Sequence, residues 1–364
     1  MLIFGYFLLL KKVKNNLWYF IPLLLITILR YDIGWDYRWY YRLAEGYKLY
    51  SLPLFINKEK IFHYVNQFDI RVFQYYTIEL FNRILYKISW YFEMKPQFII
   101  LVYGILMLSF IKKGLDKEQQ VYVNKNSWLL FFACPLFYLN FLSIMRQGVA
   151  VSLFFYSYTY IKQRKFIKYI SLIVLASFFH KTVLIMLPVY FFYNIKINKK
   201  LYLMMLIIGI FFDKIFLKVV LEYNIPIISR YKTYVINSIG EGGTKLFYVI
   251  LLIGIVILFL IFIDKKFYKK NIFFIFMTLS GVFIYCSLIS LGHLGPRMSI
   301  YFFIYILYLI PEIEKSLKKM GISKYLISIF ILVVLILQLY SDKNNIIRSQ
   351  FVPYKTIFSE KVNF

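Results

Sequence analysis

A chain of 364 residues in which 61% of side chains are hydrophobic and 17% charged, with a mean hydropathy of +0.67, carries more apolar surface than a soluble domain of this size can hide. Soluble enzymes and nucleic-acid-binding proteins are excluded together, and the chain is expected in a lipid bilayer. Its formal charge of +27, from 44 basic and 17 acidic residues, then reads as loop charge that orients the spans and meets anionic lipid or substrate.

Taken in chain order, Met1 to Leu10 is apolar but too short to span alone. The basic cluster Lys11, Lys12, Lys14 follows it instead of preceding it, the reverse of a secretory signal, so this stretch is expected to be at most a partial twelfth helix. Apolar runs then occur at about 17–30, 97–111, 127–145, 147–161, 166–180, 182–193, 201–217, 246–263, 272–291, 298–311 and 325–341, mostly near the ~20 residues a helix needs to span hydrocarbon. Lysine clusters separate them: Lys11, Lys12, Lys14; Lys112, Lys113, Lys117, Lys125; Lys162, Lys165, Lys168; Lys196, Lys199, Lys200; Lys265, Lys266, Lys269, Lys270; and Lys315, Lys318, Lys319, Lys324. With all six clusters cytoplasmic the runs alternate consistently and predict eleven crossings.

Residues 31–96, 146–147, 180–181, 218–245, 292–297 and 342–364 then face outward. Segment 72–92 has the length of a helix but carries Glu79, Asn82, Arg83 and Lys87, so it is expected to lie in the outer interface, charged groups wet and apolar face against lipid. The whole chain, 1–364, is expected to form one all-α, membrane-embedded domain of about 11 to 12 helices, with outer loops at 31–96 and 218–245. Cys134 and Cys286 sit inside apolar runs and imply packing, with no disulfide framework and no metal cluster.

Arginine is distributed differently from lysine. Of 34 lysines, 21 lie in the six cytoplasmic segments; of ten arginines, only Arg164 does. Orientation needs positive charge of either kind, whereas bidentate binding of phosphate or carboxylate needs a guanidinium fork, so the bias points to outward-facing anion chemistry. Its bland counterpart is an interfacial arginine that snorkels toward lipid headgroups.

The densest polar cluster follows the first span: Arg30, Tyr31, Asp32, Gly34, Trp35, Asp36, Tyr37, Arg38, Tyr40, Tyr41 and Arg42. Gly34 permits a sharp turn past the helix end. Asp32 and Asp36 are four apart, so in a helical turn both carboxylates would share a face with Arg30 nearby, an arrangement that keeps one carboxylate ionised as a base. Asp36 is therefore the preferred proton acceptor, with His180 second. Arg146 and Gln147 form a turn between two apolar runs with almost no loop, and an ionisable residue held that close to the apolar zone marks function. His180 and Lys181 occupy the next such turn. The run after them, 182–193, spans about 18 Å as an α-helix, which places His180 in a recess. His63 reads as an ordinary surface histidine, and His293 as a weak candidate. Arg230 lies in the loop that ends Gly240, Glu241, Gly242, Gly243, and Arg297 follows Gly295 and Pro296 at a helix N-terminus, a place that favours anions.

These residues resemble a family. Arg30, Gly34, Asp36 and Tyr37 look like the signature at the end of an early span in EpsG-type, Wzy-like polysaccharide polymerases, and the resemblance continues with Glu79, Arg146-Gln147, Phe179-His180-Lys181 and, more weakly, Arg297. It implies polymerisation of oligosaccharide repeat units carried on polyprenyl diphosphate at the outer face of a bacterial cytoplasmic membrane. It further implies Asp36, His180 and Arg146 as catalytic residues, and Arg30, Tyr37, Glu79, Gln147 and Arg297 as substrate-binding ones, to which the placement of Asp32 and Arg230 in outer segments adds those two. The implied partners are the lipid-linked oligosaccharide, membrane lipid, a flippase and a chain-length regulator; no metal or other cofactor and no nucleic acid are expected. The outer segment 31–96 is also similar in placement to the first outer loop of GT-C-like membrane glycosyltransferases.

Two rival classes remain. A flippase or transporter of the same lipid would place polar groups near the midplane and show two related halves, whereas here only Asp213 and Lys214 interrupt the span centres and no repeat is visible. A membrane acyltransferase would pair a histidine with a neighbouring acid, and the sequence displays no such paired motif.

Overall fold

The apolar runs fold as helices because lipid and a packed interior both leave each backbone N–H and C=O to find a partner within its own segment. The computed structural model describes residues 17–46, 49, 51–55, 70–118, 125–134, 136–194, 265–288, 294–321, 326–344 and 351–358, with isolated positions between 204 and 222. Among these residues there is no strand; Arg30 and Thr356 form an isolated antiparallel bridge. The protein is a helical membrane protein. Its contacts divide it into two units, Met1–Tyr190 with Ile331–Phe364, and Phe191–Phe330.

The first unit holds α1 (Leu17–Leu29), α2 (Tyr37–Ala44), α3 (Ile70–Thr77), α4 (Leu80–Tyr91), α5 (Gln97–Glu118), α6 (Lys125–Ala133), α7 (Tyr138–Ser143), α8 (Met145–Lys162), α9 (Phe166–Ser177) and the first ten residues of a 3₁₀ helix, Lys181–Asn194. Helix α5 packs against α1 and α8, and α8 packs against α9. On α1, Tyr19, Leu23 and Thr27 are buried at helical spacing, while Leu17, Trp18, Ile21 and Leu25 are exposed, an apolar outer face of the kind lipid solvates. Gln97–Lys117 is long and apolar enough to cross a membrane.

Helix ends gather at one end of this unit. Gln97 Nε2, at the start of α5, donates to the carbonyl of Arg30 at 2.9 Å, and the Arg30 guanidinium reaches Met145 Sδ, at the start of α8, at 2.8 Å. Residues 351–358 lie at the same end: Tyr31 N–H donates to Lys355 O at 3.0 Å, Ile357 N–H donates to Leu29 O at 2.9 Å, and the Tyr354 hydroxyl donates to Ile26 O. The lysines that close α5 and α8, Lys117 and Lys162, lie about 25–30 Å away along those helices at 1.5 Å per residue.

Three expectations are corrected here. The run 127–145 is not one span: α6 stops at Ala133, two residues before Pro135, and α7 starts at Tyr138, because proline lacks the N–H a continuing helix needs and disfavours the helical region for the residue before it. Segment 72–92 is two helices, α3 and α4, separated at Ile78 and Glu79, with Glu79 in an extended conformation (φ −71°, ψ 161°) as the N-cap of α4. The run after His180 is 3₁₀, not α: Val183, Met186 and Val189 are buried at every third position, the period of three residues per turn. At about 2.0 Å per residue its 14 residues extend about 28 Å, so the shortness expected of that run is absent.

The second unit includes α10 (Lys265–Ser287), α11 (Leu294–Phe303) and α12 (Ile306–Lys319), with α13 (Leu326–Asn344) beginning in it and ending in the first. Phe267–Ser287 is long and apolar enough to cross a membrane; α11 and α12 pass the same test together but meet at a bend of 56°, so 298–311 is not a straight span. Within α10, Asn271 leaves helical geometry (φ −113°) where its side-chain amide bonds the carbonyl of Phe267, four residues back. A Cβ on Gly281 would lie 2.6 Å from the backbone nitrogen of Phe303, so only glycine allows α10 and α11 to approach this closely. The run 246–263 lies outside the described residues, as do most of 201–217 and of the loop 218–245, Arg230 included.

Candidate functional site

The chain leaving α1 is held by Arg30. Its side chain is fully buried; NH1 donates to Ile33 O at 2.9 Å and Leu142 O at 2.6 Å, and the Tyr37 ring lies 5.5 Å from the guanidinium carbon. Gly34 makes this possible. Its φ of +101° belongs to the region L-residues avoid, and a Cβ there would sit 2.8 Å from Leu142 O. Arg30 thus fastens the turn after α1 to the α7–α8 corner.

Several expectations for this stretch change. Residues 31–36 are not helical, and Asp32 adopts φ 51°, so Asp32 and Asp36 do not share a helical face. The Asp32 carboxylate is gripped by Arg38 through two hydrogen bonds of 2.7 Å. Asp36 is the N-cap residue of α2 without a side-chain capping bond, and Arg30 donates to backbone carbonyls and a thioether, not to a carboxylate. Tyr37 is buried with its hydroxyl toward Arg30 O at 3.4 Å. Arg30 and Tyr37, expected to bind substrate, offer no surface to it. The tyrosines of this stretch are largely core: Tyr37 and Tyr40 form the buried face of α2 with Leu43 and Ala44.

The polar residues that do converge are Glu79, Arg146 and His180. Glu79, at the N-cap of α4, is buried, with a side chain 8% exposed. Its Oε2 accepts from Arg146 NH1 at 2.7 Å; its Oε1 lies 3.2 Å from His180 Nδ1 and 3.4 Å from the backbone N–H of Lys181. Arg146 stands in the first turn of α8, two residues past the Ile144 link from α7, with its guanidinium carbon 5.1 Å from the Trp39 ring centroid and its backbone nitrogen 3.5 Å from the Tyr40 hydroxyl. His180 stands in the short link between α9 and the 3₁₀ helix. Burial works against charge on Glu79, but the His180 hydrogen bond and the Arg146 guanidinium outweigh it and hold the carboxyl down at about 2.

Behind this cluster lies a layer that sequence reasoning did not assign. Asn82 Nδ2 donates to Glu79 Oε2 at 3.1 Å and to Phe179 O at 3.0 Å, and Tyr103 donates to Asn82 Oδ1 at 2.7 Å. Asn82 follows Glu79 by three residues and so shares its helix face, a signal available in advance; Tyr103, inside an apolar run, carries none.

Arg146 and His180 keep side-chain exposures of 22% and 23%. A neutral imidazole in the tautomer whose Nδ1–H donates a hydrogen bond to Glu79 presents the Nε2 lone pair as a base, and among the described residues Nε2 has no hydrogen-bond partner. A partly exposed guanidinium on the same carboxylate supplies positive charge beside that base. Gln147 is buried in the same turn as Arg146. Arg297 lies in the first turns of α11, in the second unit.

No curated protein matches the chain, and no solved structure does. A model of the EpsG family matches residues 15–356, nearly the whole length, and the chain therefore belongs to this Wzy-like, polymerase-type family.

Proposed function

We propose that the protein polymerises oligosaccharide repeat units carried on polyprenyl diphosphate, at the outer face of the cytoplasmic membrane, within a GT-C-like bundle of eleven or twelve crossings. The observation that carries this reading is the convergence of Glu79, Arg146 and His180, a carboxylate-oriented imidazole next to a guanidinium, in a chain of this family. An acceptor sugar hydroxyl attacks the anomeric carbon of the donor. The new glycosidic C–O bond forms as the bond from that carbon to the lipid diphosphate breaks, and the electron pair leaves with the diphosphate. His180 Nε2 takes the hydroxyl proton, Glu79 steadies the imidazolium that results, and Arg146 offsets the charge growing on the leaving group.

His180 displaces Asp36 as the preferred base, because Arg30 does not stand by the Asp36 carboxylate as the sequence reading required. The test uses the purified full-length protein with a synthetic polyprenyl-diphosphate oligosaccharide, scored for elongation. His180→Ala is expected to abolish elongation while Asp36→Asn retains it. Full elongation by His180→Ala refutes the base assignment, and an absence of elongation by the wild-type protein with every repeat unit of its own source organism refutes the polymerase reading.

A further inference from the structure

Asn82 is a neutral side chain, fully buried, and its three hydrogen bonds run to three different segments. The Nδ2 group donates to Glu79 Oε2 and to Phe179 O; the Oδ1 atom accepts the Tyr103 hydroxyl. Chemistry fixes this orientation. With the amide reversed, Oδ1 would face a carboxylate and a carbonyl, two acceptors with no proton between them. Phe179 directly precedes His180, so one amide ties the N-cap of α4 to the corner that carries the imidazole.

We propose that Asn82 is a positioning residue: its amide holds the Glu79 carboxylate against Nδ1 of His180, and the Tyr103 hydroxyl keeps the donor side of that amide turned toward the carboxylate. The inference rests on reading Glu79 and His180 as the working pair of the polymerase site. A neutral amide acts on the imidazole in one of two ways, and they differ in sign. If Asn82 positions Glu79, its loss lets the carboxylate drift from His180, and the imidazolium gives up its proton at lower pH. If Asn82 only competes for the carboxylate, its loss leaves Glu79 more available and the imidazolium is retained to higher pH. The charged groups joined to the imidazole through Glu79 stay constant in this comparison: Arg146 from α8 on the same carboxylate, and Lys181, next in the chain, whose N–H faces the same oxygen.

The chain contains three histidines, so a His63→Gln, His293→Gln background leaves His180 alone. Diethyl pyrocarbonate acylates only the unprotonated imidazole, and its rate of reaction with the full-length protein in detergent, followed against pH, reports the His180 midpoint. Glu79→Gln is expected to lower that midpoint, because it removes the negative charge 3.2 Å from Nδ1. Asn82→Leu is expected to lower it in the same direction, and Tyr103→Phe, which removes one hydroxyl and little else, by a smaller amount. An unmoved or raised midpoint in Asn82→Leu overturns the proposal; should that variant fail to accumulate, the same result in Tyr103→Phe overturns it. Elongation is scored separately on the same proteins. Lowered midpoints with unchanged elongation sustain the positioning role and refute His180 as the base, whereas unmoved midpoints refute the positioning role whatever the polymer.

Discussion

Replacing Glu79 by Gln tests the site at its centre, because each carboxylate oxygen serves a different partner set. Oε2 accepts from Arg146 and Asn82, at 2.7 and 3.1 Å; Oε1 faces His180 and the Lys181 N–H, at 3.2 and 3.4 Å. A glutamine amide keeps one oxygen and turns an NH₂ toward the other set, so whichever way it rotates one pair of donors meets a donor. The magnitude follows from two directions. A hydrogen bond to a charged group contributes about 1.5–3 kcal/mol, and removing one partner of a buried ion pair costs about 3–5 kcal/mol, which the partial exposure of Arg146 reduces. Independently, a carboxyl held at about 2 against the usual 4.5 favours its ionised form in the folded protein by about 3 kcal/mol, at 1.36 kcal/mol for each pH unit.

Both routes give about 2–4 kcal/mol. If that free energy orients the base and the guanidinium in the transition state, elongation by Glu79→Gln falls roughly 30- to 1,000-fold. The assay is single-substrate elongation by purified protein at matched amounts, with thermal unfolding in detergent measured alongside to separate lost folding from lost turnover. Glu79→Asp, which keeps the charge and shortens the reach by one methylene, is expected to fall between Gln and wild type. Wild-type elongation by Glu79→Gln refutes the assignment, since the variant cannot keep both partner sets.

Arg146→Lys is expected to impair elongation nearly as much as Arg146→Ala, because an ammonium lacks the planar group that bonds Glu79 through NH1 while lying over the Trp39 ring; wild-type polymer length with lysine shows that any cation suffices. The stability difference between wild type and Glu79→Gln has a defined pH dependence. Since the folded carboxyl is held below its unfolded value, its contribution is fully present above about 4.5 and is lost as pH falls through about 2. The gap in thermal unfolding temperature should therefore close as pH falls from about 5 toward about 2; a gap that widens across that acid range contradicts the assigned direction.

Arg146 and His180 are legible in the sequence because each is an ionisable residue in a turn too short to carry it away from the apolar zone. Their meeting is not legible. Glu79 lies 67 positions from Arg146 and 101 from His180, and only the packing of the α4 N-cap against both corners brings the three together. That is also why the sequence displays no paired acid and histidine. The Asp32 and Asp36 pair fails for a local reason: spacing of four places two side chains on one face only if the backbone between them is helical, and the left-handed conformations of Asp32 and Gly34 break it. The 3₁₀ helix was hidden for a related reason. A run apolar on every side shows no period until burial selects Val183, Met186 and Val189.

The bias of arginine toward the non-lysine side of the chain receives a different physical account from the structure than anion binding alone. Arg30 fastens the carbonyls of Ile33 and Leu142; Arg38 grips both oxygens of Asp32; Arg83 donates through Nε to Ile78 O at 2.9 Å and through NH1 to Leu54 O at 2.7 Å. In each case several donors of one planar group bind acceptors in irregular chain or at a helix end, where backbone carbonyls lack the partners a continuing helix would provide. Lysine, with one compact ammonium, bridges such acceptors less well, so arginine is favoured wherever irregular chain must be held at the end of a helical bundle. Arg146 differs from these three in bonding to a carboxylate that also engages an imidazole, while remaining part-exposed. Among these four, Arg146 is the one whose carboxylate partner also engages an imidazole, and for that reason its replacement by lysine discriminates the proposed chemistry from loop stapling more sharply than the same change at Arg30, Arg38 or Arg83.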